Sequence, residues 1–362
     1  MNNTIKANNL YLILTGIFIT SLVSCNLIFQ KFFQIDIWIP FYGNYTFEQS
    51  VGLLPYPITF IVTDIISEIY GKKRVFLMKL LTFEINGNTS FGMLDGDHIF
   101  DIPSRIPKAS SIIDFLNTPN QKKIKSLTNG AEADLKLSEV NFRRPIEFPG
   151  QVVCIGVNYG NRDAEYETSI KGDYPNVFLR TPGTLAAHNQ AILVPPESKQ
   201  LDYEGEIALV IGKGGRRISQ KDALDHIGAV TCLNEGCIRD WMRHGKTNVT
   251  QGKNFYRCGA VGPWLVTADE FSQGYDNIRV TTRVNGKTRQ DDTTANLLYD
   301  FSYLISYVST WNWLNPGDVI STGTPTGSGA RMKPPVWLCD GDTVEVEVSG
   351  VGVLTNPVVN EP

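Results

Sequence analysis

The chain changes texture once, near Met78. Before it, residues 10–29 (LYLILTGIFITSLVSCNLIF) hold no charged side chain and are long enough to cross a ~30 Å hydrocarbon core as a helix. A second apolar stretch runs from Val51 (VGLLPYPITFIVTDII), broken by Pro55 and Pro57 and carrying Asp64. From Lys79 onward short apolar and polar runs alternate, and no later segment could span a bilayer. KLLTFEINGNTSFGMLDGDHIFDI alternates around Asn86-Gly87 and Asp95-Gly96, dipeptides that close tight hairpins. Residues 110–138 are amphipathic and predict helix (SIIDFL, then KKIKSL), and Phe148-Pro149-Gly150 marks a linker. Beyond it VVCIGV, AILV, EIALVIG, IRVTTRVNG and TVEVEV predict strands, with helices at about 161–169, 220–226 and 296–310. The pattern is that of a β-rich α/β protein, divided as 1–78, a small amino-terminal domain at 79–145 and a main domain at 146–362.

Composition narrows the chemistry. The 362 residues allow one large or two ordinary domains, and 19% charged against 42% apolar residues is ordinary for a globular chain. A net charge of −4, with no Lys/Arg patch interleaved with aromatics, gives no reason to expect a nucleic-acid partner. The six cysteines (25, 154, 232, 237, 258 and 339) form no CxxC pair, so free thiols in a reducing, cytoplasmic compartment are expected. The four histidines are scattered, so a metal site here should be built from oxygen ligands rather than imidazoles.

Residues 1–78 admit three readings. A signal peptide is opposed by Lys6 as the only early positive charge and by the lack of an A-x-A site. Leu22-Val23-Ser24-Cys25 looks like a lipobox, but apolar residues continue past it to Phe33. PYPITFIVTDIISEIYGKKR (55–74) resembles the start of the queuosine precursor transporter family, covering a first helix and part of a second. A transporter needs several more spans, so the segment is expected to be a fusion joined near Met78 or a membrane anchor through residues 10–66.

Asp202-Tyr203-Glu204-Gly205-Glu206 leads directly into IALVIG. On a strand, i and i+2 share a face, which puts Glu204 and Glu206 roughly 6–7 Å apart at the backbone. By spacing alone this is more often a solvated strand edge with alternating charge than a cation site. Asn234-Glu235-Gly236 adds a third carboxylate at the end of IGAVTCL, and three carboxylates with water suit Mg²⁺ or Mn²⁺. Gly252-Lys253-Asn254-Phe255 and Gly262-Pro263-Trp264 follow, then the turn Gly323-Thr324-Pro325-Thr326-Gly327, which can offer N–H groups and the Thr324 hydroxyl to a carboxylate.

The order NY…DYEGE…NE-xx-RDW…GKNF…GPW…GDVISTGTPTGSG resembles the fumarylacetoacetate hydrolase family over about 150–355, and 79–140 resembles its small amino-terminal domain. The resemblance implies a mixed β-roll and a homodimer. It implies Glu204, Glu206 and Glu235 as ligands of Mg²⁺ or Mn²⁺, Lys253 beside the substrate, and Thr324, with Gly323, Tyr159 and Arg239, on the substrate side. Two departures stand out. Glu235 occupies a position where Asp is usual, and Arg162 falls where hydrolases and decarboxylases of the family often carry a His paired with Glu to activate water. Arginine is no base near neutral pH, which leaves Glu165 as the candidate base.

His188 and His244 are each read as a proton carrier or, more simply, a structural side chain. Arg239-Asp240 fits a supporting pair, Asp291-Asp292 a loop and helix cap, and Gly212-Lys213-Gly214-Gly215 a strand-exit turn. Cys237 and Cys258 lack a neighbouring base. The expected activity is hydrolysis of an acylpyruvate-like acid, or isomerisation or hydration of a 2-oxo acid through its enolate. The rivals are a catalytically impaired metabolite binder and a membrane transporter.

Overall fold

The computed structural model describes residues 32–39, 43–50, 77–116, 118–128, 130–166, 171–246 and 248–362. The chain divides into two compact units, 1–76 and 77–362. In the first, Phe32–Ile39 and Gly43–Ser50 form an antiparallel pair, which the apolar pattern does not predict. The expected helices at 10–29 and 51–66, and the transporter-like segment 55–74, lie outside the described residues. Among the described residues no helix is long and apolar enough to cross a membrane.

The second unit is β-rich, as expected. Its main sheet runs Leu135–Lys136, His98–Asp101, Asn88–Asp95, Lys79–Ile85, Gly259–Thr267, Ile227–Asn234, Gly205–Ile211, Val319–Ser321, Val152–Ile155 and Val177–Arg180. A five-stranded sheet (Ile192–Val194, Gly352–Asn360, Thr343–Val348, Arg279–Val284, Lys287–Thr293) is the second layer. The Lys79–Ile85 strand pairs with Gly259–Thr267 through Leu80–Leu265 and Lys79–Val266. Segments 79–145 and 146–362 therefore share one sheet.

The Gly205–Ile211 strand explains why EIALVIG reads as a continuous apolar run. Ile207, Leu209 and Ile211 enter one core, against Val280, Val346 and the 301–311 helix. Ala208 and Val210 enter the other, with Leu80, Phe115 and Val152. Both faces are covered, so no polar alternation is needed. The helix Phe301–Trp311 buries Phe301, Leu304, Ile305 and Val308 at helical spacing, and the Asp300 carboxylate caps it by accepting the Tyr303 N–H at 2.7 Å.

The Asn86-Gly87 hairpin forms with both residues at positive φ (51° and 78°), as its turn chemistry requires. Three expectations need correction. Residues 110–138 are helical only at Thr118–Thr128, after a short 3-10 turn at Ile112–Phe115. Gly130, at φ 74°, follows the helix, and Leu135 pairs with Ile99 as strand. The 161–169 helix is a single turn at Asp163–Tyr166 within the described residues. Asp291 and Asp292 lie in the Lys287–Thr293 strand rather than a loop, where Asp291 pairs with Arg279 across the hairpin and Asp292 accepts from Asn161 and Asn296, both at 2.6 Å.

His188 is structural. Its Nδ1 accepts the Thr355 N–H at 3.0 Å and its ring meets Phe142 edge-on at 4.6 Å. Burial lowers its pKa from 6.5 to about 4. The folded protein thus favours neutral His188, while the unfolded chain takes up a proton as pH falls below about 6.5. Stability should fall from about pH 6.5 towards pH 4, and His188→Gln should flatten that part of the acid limb in thermal melts against pH. Parallel curves for the two proteins would refute the assignment.

Candidate active site

The two carboxylate segments are tied together through their backbones. The Glu204 N–H donates to Asn234 Oδ1 at 2.9 Å, and the Glu235 N–H donates to the Glu204 carbonyl at 2.7 Å. Gly205 pairs with Asn234 in the sheet register, so Glu204 and Glu206 flank the point where Glu235 leaves its strand. All three carboxylates are buried, which excludes the solvated strand edge. Gly236 follows Glu235 because a Cβ there would stand 2.0 Å from the Cys258 carbonyl oxygen.

Such a cluster needs positive charge, and the chain supplies it. Lys253 Nζ bonds Glu204 Oε2 and lies 3.2 Å from Glu235 Oε2. Arg239 bridges Glu204 (2.6 Å) and Asp202 (2.7 Å). Arg180 reaches Glu235 at 3.2 Å, the Gly236 carbonyl at 2.8 Å, Thr184 Oγ1 at 3.1 Å and Cys258 Sγ at 3.0 Å. Glu206 accepts from Ser321 Oγ at 2.5 Å and the Gly323 N–H at 2.8 Å.

These contacts set the protonation states. Burial would raise the Glu204 carboxyl, but Arg239, Lys253 and Arg162 hold it down at about 2. Burial, and then the facing Glu235, push Glu206 well above the usual carboxylate range. Burial also raises Glu235, with the Glu204 charge adding to the rise and Lys253 and Arg180 opposing it. Lys253 stays charged: Glu204 and Glu235 raise its pKa against the opposing effect of burial.

A cleft of about 1110 Å³ opens over this floor, and Glu204, Glu206, Glu235, Lys253, Arg162 and Thr324 are in its wall. Arg180 and Arg239 also line it. Three expected residues do not. Tyr159 is fully buried, its hydroxyl has no partner among the described residues, and Asn158 beside it clamps Tyr299 and Thr322. Gly323 spends its N–H on Glu206. Glu165 is held by the Gly327 N–H at 2.7 Å and by Arg162 Nε at 2.8 Å. Thr324 lines the cleft, but its hydroxyl donates to the Gly205 carbonyl (2.9 Å) and accepts from Gln290 (2.8 Å), so it is not free to hold a substrate carboxylate.

The remaining candidates fall away from the chemistry. His244 packs on Trp241 at 4.2 Å, and Asp240 accepts from Ser198 at 2.6 Å rather than from Arg239. Cys237 and Cys258 are buried, and burial pushes both thiols up, away from the reactive thiolate. The sequence pattern missed Arg180, Asp202, Gln290 and Ser321. Asp202 accepts the Gly329 and Ala330 N–H groups at 2.8 and 3.1 Å while holding Arg239. A lone arginine ending the apolar run VFLR was the one legible hint of Arg180.

Among the described residues no three Asp, Glu, His or Cys side chains converge as a ready metal cage, since Lys253 stands between Glu204 and Glu235. The donor chemistry nevertheless suits a hard divalent ion. Three buried carboxylates face one cleft, and two of them are raised by burial and mutual repulsion that added positive charge would relieve.

A β-rich frame that buries paired acids and bases under an open cleft is that of an enzyme. The profile described as fumarylacetoacetate (FAA) hydrolase C-terminal matches residues 151–359, and the chain belongs to the fumarylacetoacetate hydrolase family. It is similar to the mitochondrial oxaloacetate tautomerase FAHD2A of Bos taurus, 38% identical over 227 residues, which cover 62% of this chain and 71% of that one. Oxaloacetate tautomerase fahd2 of Xenopus laevis is 33% identical over 290 residues, covering 78% of this chain and 90% of its own. A solved fumarylacetoacetate hydrolase from Exiguobacterium antarcticum superposes with a TM-score of 0.65 at 32% identity, over 78% of this chain and all of that one.

Proposed function

We propose that the chain interconverts the keto and enol forms of a small 2-oxo acid, breaking a C–H bond beside the oxo group and making an O–H bond. The observation that carries this is Arg162. At the position where a His would pair with Glu to activate water, the guanidinium binds Glu165, which is itself absent from the cleft wall. Hydrolysis needs a water activated as nucleophile, whereas tautomerisation needs a stabilised enolate and a carrier that takes the proton from carbon and returns one to oxygen, a role that solvent water in the open cleft can fill. The two tautomerase relatives support the same choice.

Lys253 is the residue placed for that task, a buried ammonium in the cleft wall kept charged by Glu204 and Glu235. It would stabilise the oxygen as negative charge develops there. Glu204, Glu206 and Glu235 would hold Mg²⁺ or Mn²⁺, which supplies positive charge to the carboxylate and oxo oxygens of the bound acid. Arg239 and Arg180 hold Glu204 and Glu235 in place.

The test is proton NMR in deuterated buffer with Mg²⁺, using oxaloacetate and an acylpyruvate. Exchange of the protons beside the oxo group, without cleavage of the acylpyruvate, is expected. Acid cleavage products forming as fast as the exchange would instead establish a hydrolase.

A further inference from the structure

We infer that Arg162 reads a second carboxylate on the substrate, so that the cleft selects 2-oxo dicarboxylates over monocarboxylates of the same size. This rests on the function proposed above and assigns Arg162 to specificity rather than to proton transfer. The side chain is 3% exposed and its orientation is fixed from one edge. Nε donates to Glu165 Oε2 at 2.8 Å, and Glu165 is pinned by the Gly327 N–H at 2.7 Å. The guanidinium also lies over the Tyr166 ring at 5.4 Å, with Arg331 against the same ring at 3.8 Å.

The opposite edge is uncommitted. Nη1 makes a long contact of 3.4 Å to the Thr324 carbonyl, and among the described residues Nη2 has no hydrogen-bond partner. Nη2 is not a sealed, unsatisfied atom, and Arg162 is part of the cleft wall, so this edge opens into the cleft. A guanidinium held at Nε, with Nη2 free and Nη1 on one long contact, can take a carboxylate by two parallel N–H bonds.

The other cations of the wall are already engaged. Arg180 and Arg239 are committed to Glu235, Glu204 and Asp202, and Lys253 to Glu204 and Glu235. Among the described residues Arg162 is the cation of this wall with neither Nη atom on a carboxylate, whereas Arg239 spares only Nη1, which meets Met242 Sδ at 3.8 Å.

The experiment titrates full-length protein in Mg²⁺ buffer with oxaloacetate and with its 4-methyl ester, which is one methyl longer and lacks the far charge. Binding is read by calorimetry and folding by thermal melts. Wild type should bind the diacid about 30-fold more tightly, the scale of a charge-assisted bidentate contact. In Arg162→Gln that ratio should fall to within about 3-fold, and in Arg162→Lys, which keeps charge but loses the fork, it should lie between. Equal weakening of both ligands in Arg162→Gln, or no preference in wild type, would overturn the inference and leave the tautomerase proposal intact. If wild type binds neither compound, the proposed function falls and the role of Arg162 falls with it.

Discussion

Lys253→Met should lower turnover of the 2-oxo acid about 10²–10³-fold while the protein still folds, the scale for losing one preorganised positive group at a developing oxyanion. The fold should survive because neither carboxylate is stranded. Without Lys253, Glu204 keeps Arg239 at 2.6 Å and Glu235 keeps Arg180 at 3.2 Å. The cleft would lose its one ammonium, and methionine fills nearly the same volume. Steady-state kinetics of enol loss, followed by ultraviolet absorbance beside a thermal melt, separate the two effects. Near wild-type turnover would remove Lys253 from the mechanism.

Arg180→Met should act in the opposite sense, on stability first. Arg180 is fully buried and satisfies Glu235, the Gly236 carbonyl, Thr184 and Cys258 at once. Removing it leaves Glu235 with Lys253 as its remaining cation and takes a donor each from the buried Gly236 carbonyl and Thr184, a loss of about 1–3 kcal/mol. Urea unfolding at neutral pH measures this directly, from the midpoint at constant slope. A change below about 1 kcal/mol would mean that the Arg180–Glu235 pair can be dispensed with.

Much of the site was legible because its signals are local. The Glu204-x-Glu206 spacing fixes a shared face, Asn-Gly fixes a hairpin, and EIALVIG fixes a strand covered on both sides. What was not legible depends on long-range packing. Nothing near Thr324 reveals that Gln290, 34 residues away in sequence, engages its hydroxyl. Nothing near Tyr159 tells whether its ring turns towards the cleft or the core. Residues 110–138 carry helical amphipathicity throughout, yet Leu135 is drawn into pairing with Ile99, a choice that only the neighbouring strand makes available. Arg180 looked like an ordinary strand end because its partners lie 55 and 78 residues further on.

The strand shared between 79–145 and 146–362 has a consequence for how this protein can be divided. The stretch that matches the family profile begins at 151, but the Gly259–Thr267 strand is completed by Lys79–Ile85, and Leu80 and Met78 fill the core behind it. A chain restarted at 146 would bare a row of unpaired backbone groups beside an uncovered apolar surface, inviting edge-to-edge self-association. The two segments are therefore not portable modules. A gene rearrangement that exchanged one would have to bring a matching strand with it.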